Sequence, residues 1–264
     1  MTLSRRDFLK TGLAGSLAIG AGGLLSGCGT GNTIKAFTTS TAGKPRYGGT
    51  LRAGLTGGST ADTLDPLSAV TNVDFSRIDN LYEPLVGLTP DALPVYVLAE
   101  ELTPNKDATE WTVRIKQGIT FHNGKDLTAD DIIYTFQTVL NPKAPGSAAA
   151  GLASIDAKGM TKLDPYTVRI PCSTPFATLS ESLAIPGYSD IIPVGHNPAA
   201  PVGTGPFRLK SFSPGTQSTF VRYDNYWQPG RPYLDEIVIT DFSDQTSQVN
   251  ALLAGQVDVV NLLS

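Results

Sequence analysis

The apolar positions of this chain recur with two different periods, and the two periods predict both strands and helices. Residues 48–55 (GGTLRAGL) and 110–115 (EWTVRI) carry an apolar side chain at every second position, which is typical of a half-buried strand. Residues 74–81 and 132–140 space their apolar side chains three or four positions apart, which predicts one buried helix face.

Turn and capping signals bound the other predicted elements. Residues 128–131 (TADD) are typical of a capping box, in which the Thr128 hydroxyl accepts the N–H three residues on. The pair Asn141-Pro142 is expected to end that helix. Further strands or helices are predicted in five segments: TKLDPYTVRIP, TGPFRLKSFSPGTQSTFVRYDNYW, DEIVITDF, SDQTSQVNALLAG and QVDVV. The mixture predicts an α/β (mixed α+β) protein with mixed sheets.

The first 28 residues have the pattern of an export signal rather than of a folded element. Arg5 and Arg6 precede Phe-Leu-Lys and a Gly-rich apolar run, and together they resemble a twin-arginine signal. The run ends in LLSGC, which resembles a bacterial lipobox with Cys28 as the lipidated residue. We therefore expect residues 1–27 to be a cleaved signal peptide, residues 28–47 to be a flexible linker, and lipid on Cys28 to tether the protein to a membrane.

Composition and charge restrict the class of protein. The chain has 264 residues, 41% of them hydrophobic, which suits one large or two modest domains and is too apolar for disorder. The net charge is −4 and no block of like charge occurs, so we expect no nucleic-acid partner.

No residue pattern indicates catalysis, a metal or a cofactor. Cys28 and Cys172 are far apart, and neither His122 nor His196 has a second ligand at metal-binding spacing. We expect the two histidines to be surface or turn-capping residues and Cys172 to be a small apolar one. Nucleophile-elbow and phosphate-loop motifs do not occur either, so the sequence does not predict an enzyme.

The order of the segments carries a family resemblance. It runs GGTLRAGL, TLDP, LYEPLVGL, LAEELT, WTVRIKQGITFHNGKDLTADDIIYTFQTVL, PVGTGPFRLKSFSPG, VRYDNYW, PYLDEIVI and ALLAGQVDVV. This series resembles the extracytoplasmic solute-binding proteins of peptide/nickel-type ABC importers (solute-binding protein family 5), and the resemblance covers Gly48 to Val260.

The resemblance implies a two-lobed periplasmic-binding-protein-like fold that closes on its ligand. Lobe I would comprise residues 48–82 and 173–264, and a smaller lobe II, residues 83–172, would be inserted between them. Members of the family are about twice as long as this chain, so the resemblance also implies a truncated form without the second large lobe. FHNGKDLTADD and NYW are expected to be markers of the fold rather than ligand contacts.

The resemblance also implies the site and the partners. The loop after TLDP would line the cleft with Val70, Thr71 and Asn72, and the loop around residues 145–147 would face the same cleft. Peptide binders carry an aromatic residue there, whereas this chain has APGSAAAG. The expected function is a lipid-anchored extracytoplasmic receptor that binds a small solute or peptide and delivers it to ABC permease subunits.

Two alternatives belong to other classes. One is an exported redox enzyme that carries a cofactor, since twin-arginine substrates often fold around cofactors before export; absorbance of the purified protein would test it. The other is a truncated lipoprotein that docks a partner without binding solute.

Overall fold

Within residues 45–261, the part of the chain that the computed structural model describes, eleven strands and four helices form three sheets and two hydrophobic cores. Arg5, Arg6 and Cys28 lie outside these residues. The export and lipidation assignments therefore stay predictions.

The larger sheet has five strands and combines the beginning of the described chain with its end. Its spatial order is β11 (Val259–Val260), β1 (Thr50–Thr56), β10 (Glu236–Phe242), β9 (Gln217–Arg222) and β8 (Phe207–Ser213). Strand β1 runs parallel to both β10 and β11, whereas β8, β9 and β10 are antiparallel neighbours. The strand that the alternation of residues 48–55 predicted is confirmed as β1.

The middle of the chain forms a four-stranded antiparallel sheet and a small hairpin. The sheet order is β4 (Ala99–Pro104), β5 (Glu110–Ile115), β7 (Thr167–Pro171) and β6 (Thr161–Asp164). The hairpin pairs β2 (Val86–Leu88) with β3 (Pro94–Tyr96). In β5 the buried residues are Trp111, Val113 and Ile115, as the period of two predicts.

The helices are α1 (Asn72–Leu81), α2 (Ala129–Val139), α3 (Leu179–Leu183) and α4 (Gln245–Leu253). A capping box starts α2, as predicted, but the Thr128 hydroxyl acts as a donor: the Thr128 backbone N–H and hydroxyl both donate to Asp131 Oδ2 at 3.0 Å. Helix α1 packs against β8 of the larger sheet, and α2 packs against β6 and β7 of the smaller one.

The two hydrophobic cores divide the chain into alternating segments. The first core joins buried residues of α1, β9 and β10, and the second joins buried residues of α2, β5 and β7. The chain passes from one core to the other between Tyr82 and Leu85 and returns between Ile191 and Ile192. Residues 179–191 thus pack in the second core, beyond the predicted boundary at residue 172. The assignment of the two cores to lobe I and lobe II stays a prediction.

The two crossing segments lie side by side. Pro84 and Asp190 form an antiparallel bridge, and the Ile191 N–H donates to the Glu83 carbonyl at 3.1 Å. The two cores are therefore connected by two hydrogen-bonded segments of the same chain.

Candidate ligand-binding site

The predicted ligand residues lie at the start of α1. Val70 is 75% exposed, and Asn72 is exposed in the first turn. The Thr71 hydroxyl accepts from the Asp74 N–H at 3.0 Å and donates to Asp74 Oδ2 at 2.8 Å, so it caps the helix. Val70 and Asn72 have side chains free to meet a ligand at the surface, whereas Thr71 would act through its backbone.

The loop that carries these residues is fixed by Asp65. Its Oδ1 accepts from the Leu67 N–H at 3.0 Å and lies 3.3 Å from His196 Nε2. Burial alone would raise the pKa of Asp65, but the hydrogen bonds from His196 and Leu67 outweigh burial and lower it. The carboxylate stays ionised and joins the loop after β1 to the loop that contains His196.

The two loops that the family resemblance singled out touch each other. The Ser147 N–H donates to the Leu67 carbonyl at 2.8 Å, and the Gly146 N–H donates to the Val139 carbonyl at 2.8 Å. A side chain at Gly146 would place its Cβ 3.1 Å from the Leu67 carbonyl oxygen, which is tighter than ordinary contact. Small residues in APGSAAAG therefore let the loop approach the residues that precede Val70.

The His196 side chain is buried, which excludes the surface role and leaves the other expected role, that of a residue that holds a turn. Its side chain is 4% exposed, and its ring lies edge-on to Tyr82 with 6.0 Å between centroids. Its sequence neighbours in VGHNP are polar and turn-forming, but the side chain reaches inward to Asp65. The residue therefore holds two loops together.

His122 likewise holds a turn in place. Its Nε2 lies 2.9 Å from the Gly205 carbonyl oxygen, and its Nδ1 accepts from the Gly203 N–H at 3.3 Å. Burial lowers the pKa of His122 to about 4, so the ring is neutral and Nε2 carries the proton that it donates. His122 thus fastens the HNG turn to the GTGP loop.

Glycine is required in that GTGP loop by close packing. A Cβ on Gly203 would lie 1.9 Å from the Leu81 carbonyl oxygen. The loop therefore packs directly on the end of α1. The pattern GTGP reflects this contact rather than phosphate binding.

The NYW stretch connects the two cores through Glu83. The Tyr226 hydroxyl donates to Glu83 Oε1 at 2.6 Å, and Trp227 Nε1 donates to Oε2 at 2.7 Å. Burial raises the pKa of Glu83, and these two donors oppose that rise. In this structure the stretch supports the chain crossing at residues 82–85.

A buried arginine beneath the loop escaped sequence analysis. Arg77 is fully buried and donates to Asp62 Oδ2 at 2.7 Å, to Asp241 at 2.6 Å and to Ser218 Oγ at 3.1 Å. Asp62 also accepts from the Gly215 N–H at 3.3 Å. These bonds attach α1 and the loop after β1 to strands β9 and β10, so the candidate site rests on a fixed base.

Residues 45–261 contain no cluster of potential metal ligands and no helix that meets the length and hydropathy of a membrane span. Cys172 is a half-buried free thiol whose pKa is raised by burial.

Comparison with known proteins identifies the class to which this fold and site belong. Residues 94–264 match the family model described as "Bacterial extracellular solute-binding proteins, family 5 Middle". The chain belongs to this family, whose members bind solutes and are not enzymes. These matches confirm the predicted family and the predicted mixed α/β periplasmic-binding-protein fold. They also agree with the prediction that the protein is not an enzyme, because its relatives are substrate-binding proteins.

Individual relatives have different ligands. The chain is 28% identical to the oligopeptide-binding protein AppA of Bacillus subtilis over 90% of its own length and 45% of the relative's. It is 31% identical to the glutathione-binding protein GsiB of Escherichia coli K12, over 75% of this chain and 40% of that protein. The structure of AgaA of A. tumefaciens R10, solved with agropinic acid, superposes with a TM-score of 0.74 at 32% identity, over 80% of this chain and 43% of that one. The chain thus spans less than half the length of these relatives.

Proposed function

We propose that this chain belongs to a receptor that binds a small, peptide-like solute outside the cytoplasm and delivers it to the permease subunits of an ABC importer. The observation that carries the proposal is the hydrogen bond between the 145–147 loop and Leu67, just before Val70 in the loop after TLDP, with α1 and that loop held to the larger sheet by Arg77. Val70 is a large apolar side chain that is 75% exposed there.

An extended peptide suits such a site, because its backbone can pair with protein backbone while its side chains project into wet pockets. Thr71 offers backbone rather than side-chain contacts, since its hydroxyl is used in the helix cap. The neighbouring loop has small side chains where peptide binders have an aromatic, which leaves room for a ligand bulkier than an extended peptide at that point. The ligands of AppA, GsiB and AgaA all carry amide, amine or carboxylate groups, which fits this class of solute.

The proposed organisation places residues 48–82 and 173–264 in lobe I and residues 83–172 in an inserted lobe II. The alternation of the two cores along the chain supports an inserted second lobe, although residues 179–191, which the proposal assigns to lobe I, pack in the second core. Lobe closure around the ligand would involve sequence that corresponds to the remaining half of the relatives.

We also propose export through the Arg5-Arg6 signal and anchoring through lipid on Cys28. Replacing both arginines by lysine is expected to retain the protein in the cytoplasm, and Cys28→Ala is expected to abolish incorporation of labelled fatty acid. Labelling that persists in Cys28→Ala would contradict the anchor.

A thermal-shift screen of the 264-residue chain tests the receptor function. Tri- to nonapeptides, glutathione and an opine form the positive arm, and sugars and Ni²⁺ form the comparison arm. We expect the melting temperature to rise with peptide-like solutes only, as ligands that bind the native state stabilise it by mass action. The absence of any shift would instead favour a lipoprotein that docks a partner without binding solute.

A further inference from the structure

A second concave site lies at the other end of α1 from the candidate ligand loop. It is a pocket of about 230 Å³ lined by Asp79, Asp190, strand β2 and the turn at residues 184–187. Asn72 and Asp79 are separated by about 10 Å along the helix, at roughly 1.5 Å per residue. The pocket is therefore distinct from the site at Val70.

Asp190 is buried without a hydrogen-bonding partner. The residue is 5% exposed, and its Oδ2 has no donor among residues 45–261. The other buried carboxyls differ: Asp131 accepts from the Val194 N–H at 2.9 Å, and Glu83 accepts from two side chains. Because buried polar groups are nearly always paired, an unpaired carboxyl that lines a pocket points to a missing donor.

Asp79 adds a second uncompensated negative charge. It lies in the last turn of α1, where the helix carbonyls carry partial negative charge, and that turn has no basic residue. Its carboxyl makes no hydrogen bond or ion pair within the described part of the chain. Burial, Asp79 and Glu83 together raise the pKa of Asp190 to about 7, in that order of importance.

The remaining pocket walls are apolar. They include Leu88 and Ile185, both exposed, and no lysine, arginine or histidine lines the pocket. Mg²⁺ and Ca²⁺ require several oxygen ligands, which two carboxyls and an apolar wall do not supply. A cation with an attached hydrocarbon chain matches both parts of the pocket, the two carboxyl groups and the apolar wall.

We propose that this pocket binds the primary ammonium group of a small aliphatic amine, with the ammonium between Asp79 and Asp190 and the hydrocarbon against Leu88 and Ile185. The ammonium would lie against the Asp190 carboxyl group and would offset its charge and that of Asp79. This proposal is independent of peptide binding at Val70.

Isothermal titration of the 264-residue chain with n-butylammonium chloride at pH 8 tests the proposal. 1-Butanol serves as the uncharged analogue and sodium chloride as the control for ionic strength. We expect saturable binding of n-butylammonium only, weakened at least tenfold by Asp190→Asn and by Asp79→Asn. Asp130→Asn is the matched control, because Asp130 is exposed and pairs with Lys162 away from the pocket.

Three results would overturn the proposal: no saturable binding of n-butylammonium, equal binding of 1-butanol, or unchanged affinity in the pocket variants. If Asp190→Asn does not fold, Asp79→Asn decides alone, because Asp79 is exposed on the helix and its replacement leaves the core intact.

Discussion

Replacement of Asp190 by asparagine is expected to stabilise the protein at pH 8 and to change its stability little at pH 4. Burial, with Asp79 and Glu83 nearby, makes ionisation of Asp190 unfavourable in the folded state. In the unfolded chain the same carboxyl ionises normally. Folding therefore binds a proton between the two pKa values, and the stability of the native protein falls as pH rises through that range.

The size of this stability difference follows from the rise in the pKa of Asp190 on folding. The pKa rises from 3.8 to about 7, and at about 1.4 kcal/mol per pKa unit this costs on the order of 4 kcal/mol above pH 7. The penalty is absent below pH 4, where the carboxyl is protonated in both states. Asparagine has nearly the same shape as the protonated carboxyl and does not ionise, so the variant escapes the penalty.

Urea unfolding followed by tryptophan fluorescence measures the effect at pH 4, 6 and 8. The free energy of unfolding of Asp190→Asn minus that of the native chain should grow with pH, by on the order of 4 kcal/mol in all. The same difference for Asp130→Asn should stay nearly constant, since Asp130 is exposed. A difference for Asp190→Asn that is flat in pH, or that shrinks as pH rises, would refute the reasoning.

Two further replacements test how the base of the site is built. Arg77→Met should lower the free energy of unfolding by about 3–5 kcal/mol, because Asp62 and Asp241 would remain buried without their partner. Arg114→Met is the control and should change the free energy of unfolding little, because it breaks only exposed ion pairs. A similar effect of the two replacements in urea unfolding would contradict the role of Arg77. Gly203→Ala should cost about 3 kcal/mol, because its Cβ would overlap the Leu81 carbonyl oxygen. Gly118→Ala should cost only about 1–2 kcal/mol, because it has open space and suffers only from its positive φ; equal melting temperatures for the two variants would argue against the close contact.

Elements with a clear period were predictable from sequence, whereas short or irregular ones were not. Strand β5 and helix α2 bury their apolar residues with periods that the sequence displays. Strand β4 was missed because it buries only Ala99 and Leu102 and its register shifts between Ala99 and Glu101. Helix α3 is one short turn, LSESL, with too few residues to show a period.

Some features of the candidate site could not be predicted from the sequence, because they depend on contacts between residues that are far apart in the chain. Arg77 looks like an ordinary polar helix residue until the fold brings Asp62 and Asp241 to it. His196 and Asp190 sit in loops rich in turn formers, which gave no sign of burial. The cap at Thr71 was not predicted, although Thr71 and Asp74 repeat the spacing of Thr128 and Asp131 and could have indicated it.

The most direct test of the receptor function is the affinity of Val70→Asn for the best solute from the thermal-shift screen, measured by isothermal titration. Leu253→Asn is the matched control, since Leu253 is 79% exposed and Val70 is 75% exposed, but Leu253 lies on α4. We predict at least tenfold weaker binding for Val70→Asn and native affinity for Leu253→Asn. Equal affinity of both variants and the native chain would contradict a ligand site at the start of α1.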